Sequence, residues 1–174
     1  MTTDKQAQEG QTIQHEQIRD VMRHWATGVA IVSSAHEGVQ HGMTVSSFTS
    51  LALDPPLVLV SLEQNSRTHD LVMGAGAFGV SILAADQADV SNRFAGRETE
   101  DSDRFEGLET HSLTTGCPLL TNSLAVFDCK FSGSHPAGTH TMMIGEVVAA
   151  RVIRDADQTE PLLYFNRDYR KLAK

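Results

Sequence analysis

The chain has 174 residues and carries 14 Lys plus Arg against 22 Asp plus Glu, a net charge of −8. That length suits one ordinary domain with a sizeable core and leaves no room for two separate nucleotide-binding domains. The acidic balance argues against general binding of nucleic acid or an anionic membrane, and one Trp, two Tyr and seven Phe are too few for a base-stacking platform.

Residues 1–12 are polar, with Asp4, Lys5 and Glu9, and predict a flexible tail ahead of a single domain spanning 13–174. The tail has no apolar leader segment and no run approaches the length of a membrane span, so a cytoplasmic protein is expected. Ile18, Val21, Met22 and Trp25 fall at i, i+3, i+4 and i+7, which predicts a helix over Ile13 to Ala26 ended by Gly28. The pattern then shortens. Gly28 to Ser34 reads as a buried strand, Glu37-Gly38 as a turn, and Gly42 to Leu53 as one long strand ended by Asp54-Pro55-Pro56. Leu57 to Leu62 is a continuously apolar strand. Ser66 to Met73 is helical, with Gly74 and Gly76 ending it. Phe78 to Leu83 is a strand and Asp86 to Phe94 a second short helix.

The charge run Arg97 to Glu106 reads as a solvated loop. Strands return at Leu124 to Phe131, at Thr141 to Ile153 with Gly145 as a kink or bulge, and at Leu162 to Phe165. About seven strands with two or three helices, and no βαβα alternation, predict a mainly β protein: an antiparallel barrel with the helices packed outside. There is no G-x-G-x-x-G and no G-x-x-x-x-G-K-[ST], so a nucleotide would not be held in Rossmann or P-loop fashion. Cys117 and Cys129 form no C-x-x-C and read as small buried hydrophobes.

Four segments could carry chemistry. Met43 to Ser50 holds five hydroxyls in eight residues, which suits either a solvated strand face or a wall for a flat heterocycle. Ser66-Arg67-Thr68 opens a helix, where a Ser N-cap and a phosphate cradle can coexist. His140 stands out among eight histidines, but with His135 it lacks a third ligand at metal-binding spacing, so no metal site is expected. Asn166 to Lys171 is a basic, aromatic patch that reads as a solvated terminus or as a clamp over an anionic or planar ligand.

Ala26-Thr27-Gly28-Val29-Ala30-Ile31-Val32, Gly42-Met43-Thr44-Val45-Ser46-Ser47-Phe48, Leu53-Asp54-Pro55-Pro56-Leu57-Val58-Leu59-Val60, Phe78-Gly79-Val80-Ser81-Ile82-Leu83, Arg93-Phe94-Ala95-Gly96 and Ile144-Gly145-Glu146-Val147 follow one another in an order that resembles the short-chain flavin reductases. The resemblance runs from about Ile18 to Leu172. It implies a Greek-key split β-barrel, a homodimer, and hydride transfer from NADH or NADPH to FMN or FAD, with the reduced flavin serving a partner monooxygenase. The alternative is a flavin-binding split barrel without reductase turnover.

Carried onto this chain, the resemblance places Thr44, Val45, Ser46 and Ser47 against the isoalloxazine ring, with Ser61 and Leu62 beneath it. Ser66, Arg67 and Thr68 match the phosphate turn, and Arg93 and Phe94 flank the flavin tail. His140 matches the histidine implicated in nicotinamide binding, and Tyr169 approaches the same cleft. Thr139 stands where the family commonly has Asp, and Ser46 where many relatives have Asn.

Overall fold

A computed structural model describes residues 13–96 and 103–172. The predicted tail, 1–12, and most of the charge run, 97–102, lie outside the described residues. Among the described residues, three helices and twelve strand segments follow in the order α1 (His15–Met22), β1 (Thr27–Gly28), β2 (Ala30–His36), β3 (Val39–Val45), β4 (Thr49–Leu53), β5 (Pro56–Glu63), α2 (Arg67–Ala75), β6 (Ala77–Ile82), α3 (Ala88–Phe94), β7 (Thr110–His111), β8 (Leu119–Leu120), β9 (Ala125–Ala137), β10 (His140–Val152), β11 (Leu163–Phe165) and β12 (Asp168–Arg170).

Seven of these strands form one antiparallel sheet in the order β3-β2-β6-β9-β10-β5-β4. Its two edge strands are consecutive in the chain, joined only by Ser46 to Phe48. Laid flat, seven strands would put those edges about 29 Å apart, whereas the step from Val45 to Thr49 reaches about 14 Å at most. The sheet therefore curls until its edges face each other, a barrel with a seam. The single long strand expected over Gly42 to Leu53 is for this reason two strands, one on each side of the seam.

The barrel interior is filled by Val32, Val45, Val58, Val60, Leu62, Phe78, Val80 and Met143, with Val72 of α2 among them. A second apolar cluster of Val29, Ile31, Leu83, Phe94, Phe105, Leu120 and Leu162 lies on the other side of the wall. Strand β2 supplies both, Ala30 and Val32 inward and Val29 and Ile31 from the flanking positions. Burial on both faces is why Ala30 to Val32 are all apolar rather than alternating, and the buried Ser33 and Ser34 that follow give their hydroxyls to the Pro118 and Ala77 carbonyls.

Local signals explain most of the connections. Glu37 and Gly38 both have positive φ (50° and 78°) and close β2 onto β3 as a two-residue hairpin. Asn166 and Arg167 do the same (54° and 60°) between β11, which was expected as a strand, and β12, which lies in the basic, aromatic patch where no strand was expected. Ser66 caps α2 by accepting the His69 amide, and Gly76 ends it in the left-handed region, so Gly74 lies inside the helix rather than ending it. Helix α1 is shorter than Ile13 to Ala26 and buries none of its residues.

The kink expected at Gly145 is present as a register shift between Ile144 and Gly145 where β10 pairs with β9. A Cβ at Gly145 would run into the buried Phe78 ring and lie 2.9 Å from Cys129 Cβ. Neither neighbour is free to move in a packed interior. Gly145→Ala is expected to cost about 1–3 kcal/mol of stability, read as a lower urea midpoint with an unchanged slope.

Candidate functional site

A cleft of about 650 Å³ opens beside the barrel seam. Its back wall is the end of β3, with Met43, Thr44, Val45 and then Ser46. One side is the turn from β5 into α2, which presents Glu63, Asn65, Ser66, Arg67 and Thr68. The other is the C-terminal end of α3, and the small sheet β1-β11-β12 contributes Tyr164 and Tyr169. Each wall follows from local sequence. The Ser46–Phe48 crossing ends β3 at the seam, and the Ser66 cap starts α2 at the cleft with its first amides unpaired by the helix.

The walls are fixed to one another by specific bonds. Thr44 Oγ1 donates to the Ser91 carbonyl at 2.6 Å. The Tyr169 hydroxyl lies 2.8 Å from Ser91 Oγ and 3.1 Å from Asn92 Oδ1, and its ring meets Tyr164 edge-on with centroids 5.8 Å apart. Arg104 Nη1 donates to the carbonyls of Gly42 and Phe94, each at 3.0 Å, and so ties β3 to the end of α3. Gly42 allows this approach, since a Cβ there would stand 2.9 Å from the Phe94 ring.

One acceptor-rich wall, one positively charged corner and one aromatic clamp result. The corner joins Arg67, Arg104 and the α2 N-terminus, whose dipole favours an anion. His41 lies within it, buried, with Nδ1 2.9 Å from Thr68 Oγ1. Burial, and next the charges of Arg104 and Arg67, push its imidazole down to about 4, against the opposing Asp103. At neutral pH His41 is therefore an uncharged partner for Thr68, and among the described residues the corner's positive charge belongs to the two arginines.

Of the residues the resemblance singles out, Thr44, Val45, Ser46, Ser66, Arg67, Thr68, Phe94 and Tyr169 line this cleft together. Ser47 and Ser61 do not line it; Ser47 Oγ donates to the Ser61 carbonyl (3.1 Å) and accepts the Ser61 amide (3.0 Å). Leu62 is buried in the barrel interior. Arg93 donates to the Glu106 carbonyl and does not line the cleft. His140 is exposed at the start of β10, in register with Glu63, whose strand borders the cleft. Its Nδ1 is 3.0 Å from Thr139 Oγ1, so the hydroxyl standing where Asp is usual still engages the ring, without the charge.

His41 and Arg104 were missed from the sequence. His41 sits in a polar hairpin strand with no motif around it, and Arg104 lies in a charge run that reads as solvated. Both cysteines are buried free thiols; burial raises Cys117 and pushes Cys129 up to about 12. Among the described residues no cluster of His, Cys, Asp and Glu could hold a metal ion, and no helix is long and apolar enough to cross a membrane.

Comparison with known proteins places this cleft in a family. The family model described as a flavin reductase like domain matches residues 22–173. This chain belongs to that family. It is 37% identical over 155 residues to the reductase component of a 4-nitrophenol 4-monooxygenase/4-nitrocatechol 2-monooxygenase from Rhodococcus opacus, covering 89% of this chain and 80% of that protein. It is 38% identical over 159 residues to an NADH-dependent flavin reductase from a Rhodococcus species, covering 89% and 85%. Among solved structures, the NADH:FAD oxidoreductase SgcE6 of Streptomyces globisporus superposes with a TM-score of 0.84 at 29% identity, over 91% of this chain and 93% of that one.

The depressed His41 pKa gives this flavin reductase relative a pH signature. Between pH 6.5 and about 4 the unfolded chain takes up a proton at His41 that the folded chain does not. The resulting stability difference is constant above pH 6.5 and is lost as pH falls through that window. In thermal melts, the His41→Gln variant is expected to lose less stability than the parent between pH 7 and pH 4.5. Parallel curves for the two proteins would show that His41 titrates as an ordinary histidine.

Proposed function

We propose that residues 13–174 act as one NADH:flavin oxidoreductase domain, supplying reduced flavin to a separate monooxygenase. The observation that carries this is the single cleft combining a hydroxyl-lined strand wall, a two-arginine corner at a helix N-terminus and a tyrosine clamp. The relatives named as NADH-dependent reductases and as a monooxygenase's reductase component support both the nicotinamide and the partner.

The residues fit a flavin by their chemistry. The Thr44–Ser46 backbone and hydroxyls supply the mixed donors and acceptors that a flavin ring edge needs. Arg67 and the first amides of α2 supply the positive field that a phosphate needs. When bound, the two cofactors provide the chemistry themselves, a hydride passing from nicotinamide C4 to flavin N5. The chain's residues bind and orient. Ser47, bonded twice to Ser61, keeps the strand wall aligned across the seam. Tyr169 and Thr44 hold α3 at the cleft from two directions through Ser91. His140, one strand beyond Glu63, is assigned to the nicotinamide at the cleft's rim, where Thr139 fixes its ring. Such a reductase belongs in the cytoplasm, where NADH is available and thiols such as Cys117 and Cys129 remain free.

The homodimer implied by the resemblance has a candidate interface. Val21, Met22 and Trp25 are 67%, 55% and 66% exposed, on or just beyond α1. An apolar face of this size on an otherwise acidic protein marks an interaction surface. The Val21→Asp/Trp25→Asp double variant is expected to elute and scatter light as a monomer while the parent remains a dimer. A parent that is monomeric at micromolar concentration would remove this interface.

The reductase reading is tested by following NADH absorbance with FMN or FAD in excess. Flavin-dependent oxidation, faster with NADH than with NADPH, is expected. No turnover with either flavin and either nicotinamide rejects it. In the same assay His140→Ala is expected to raise the NADH KM about tenfold while leaving the flavin Kd near the parent value. An unchanged NADH KM removes His140 from nicotinamide binding.

A further inference from the structure

The strand that carries His140 to the cleft's rim starts where the sheet is running out. Beyond Lys130, β10 is the one strand among the described residues that pairs with β9. The end of β9 and the start of β10 therefore form an arm, closed by the two-residue turn Gly138-Thr139, and residues 134–140 are all exposed. On the other side, β5 accompanies β10 only as far as the His140–Glu63 pair. A two-stranded end of this kind is marginal by itself in water, so a ring at its tip is placed no better than the tip is tethered.

The residue after the end of β5 supplies the tether. The Gln64 amide donates to the Thr139 carbonyl at 3.0 Å, and Gln64 Nε2 donates to the His140 carbonyl at 3.1 Å. One residue thus holds the backbone carbonyls on both sides of the His140 Cα. Thr139 Oγ1 engages the imidazole from within the arm, whereas Gln64 fixes the backbone from outside it. A second tie, His69 Nε2 at 3.1 Å from Thr141 Oγ1, lies one residue further from the tip. Gln64 itself does not line the cleft, although its neighbours Glu63 and Asn65 do. It stands in the turn that leads to the Ser66 cap, so the arm is anchored to the same turn that builds the positive corner.

We propose that Gln64 is a positioning residue for the nicotinamide, acting through the His140 backbone to keep the imidazole at the cleft's rim. The proposal rests on the reading of His140 as the residue that seats the nicotinamide. Without the side-chain bond the arm spends part of its time elsewhere, and NADH affinity falls by the fraction of time that is lost. The bound complex is otherwise the same, so kcat holds.

The test varies NADH at saturating FAD and again at saturating FMN, with each flavin's Kd measured separately by fluorescence titration. Gln64→Met keeps the length of the side chain and removes the donor. It is expected to raise the NADH KM about fivefold, the scale of one net hydrogen bond, with kcat and both flavin Kd values near the parent's. Gln64→Glu keeps the shape and sets an oxygen against the His140 carbonyl, and is expected to raise the KM at least as much. In the His140→Ala background, Gln64→Met is expected to add nothing, because two residues that act through one contact do not add. An unchanged NADH KM in both Gln64 variants overturns the proposal while His140 keeps its role. So does a further rise in the double variant, which would give Gln64 a contact of its own. A parallel loss of flavin affinity in both variants also overturns it, making Gln64 a support of the turn alone. If His140→Ala itself leaves the NADH KM unchanged, the nicotinamide reading of His140 fails and the proposal with it.

Discussion

The short crossing from Val45 to Thr49 governs the architecture. It forces the two edges of a seven-stranded sheet to meet, and everything at the site depends on that closure. The end of β3 is brought opposite the β5–α2 turn although β3 is one edge of the sheet order and β5 stands next to the other edge. A ligand wall made of strand backbone can then stand beside a helix N-terminus, a pairing that neither element could offer alone. Ser47 closes the seam with hydrogen bonds in both directions to one backbone residue, Ser61, so the crossing is fixed as well as short.

Charge works on a smaller scale than the total suggests. The protein is acidic overall, yet its site concentrates two arginines around a histidine that is kept neutral by being buried between them. Burying a charged imidazole there would have cost desolvation and repulsion together. A neutral ring bonded to Thr68 instead holds the first turn of α2 against β3. Arg104 has a comparable double role, since its bonds to the Gly42 and Phe94 carbonyls join two walls of the cleft while its charge contributes to the corner.

The sheet was legible where its physics is local. Apolar runs mark the first half of β2, β5 and β6 because these strands stand in the barrel wall, and Glu37-Gly38 announces its hairpin. Strands β7, β8 and β12, with two or three residues each, are too short to show a period. The β11–β12 turn hides because Arg167, unlike Gly, is no turn signal, although Asn166 before it tolerates the left-handed region. The apolar stripe over Ile18 to Trp25 shows the helix correctly but not that its face lies uncovered within one chain. At the site, Thr44, Ser66 and Arg67 were visible through hydroxyl density and the cap signal. His41 and Arg104 were not, because what makes them functional is a meeting between β3 and a segment some sixty residues later, which no local pattern records.

Strand β2 has a consequence for how variation in this protein is interpreted. It packs into the barrel with one face and into the second apolar cluster with the other, and its far end leads into the Glu37-Gly38 hairpin. No position along its middle is spared from a core. In a mutational scan scored by turnover, β2 would therefore stand out as intolerant as a catalytic segment, although none of its residues from Ala30 to Ser34 lines the cleft. Abundance and activity have to be scored separately before intolerance there is taken as a sign of chemistry.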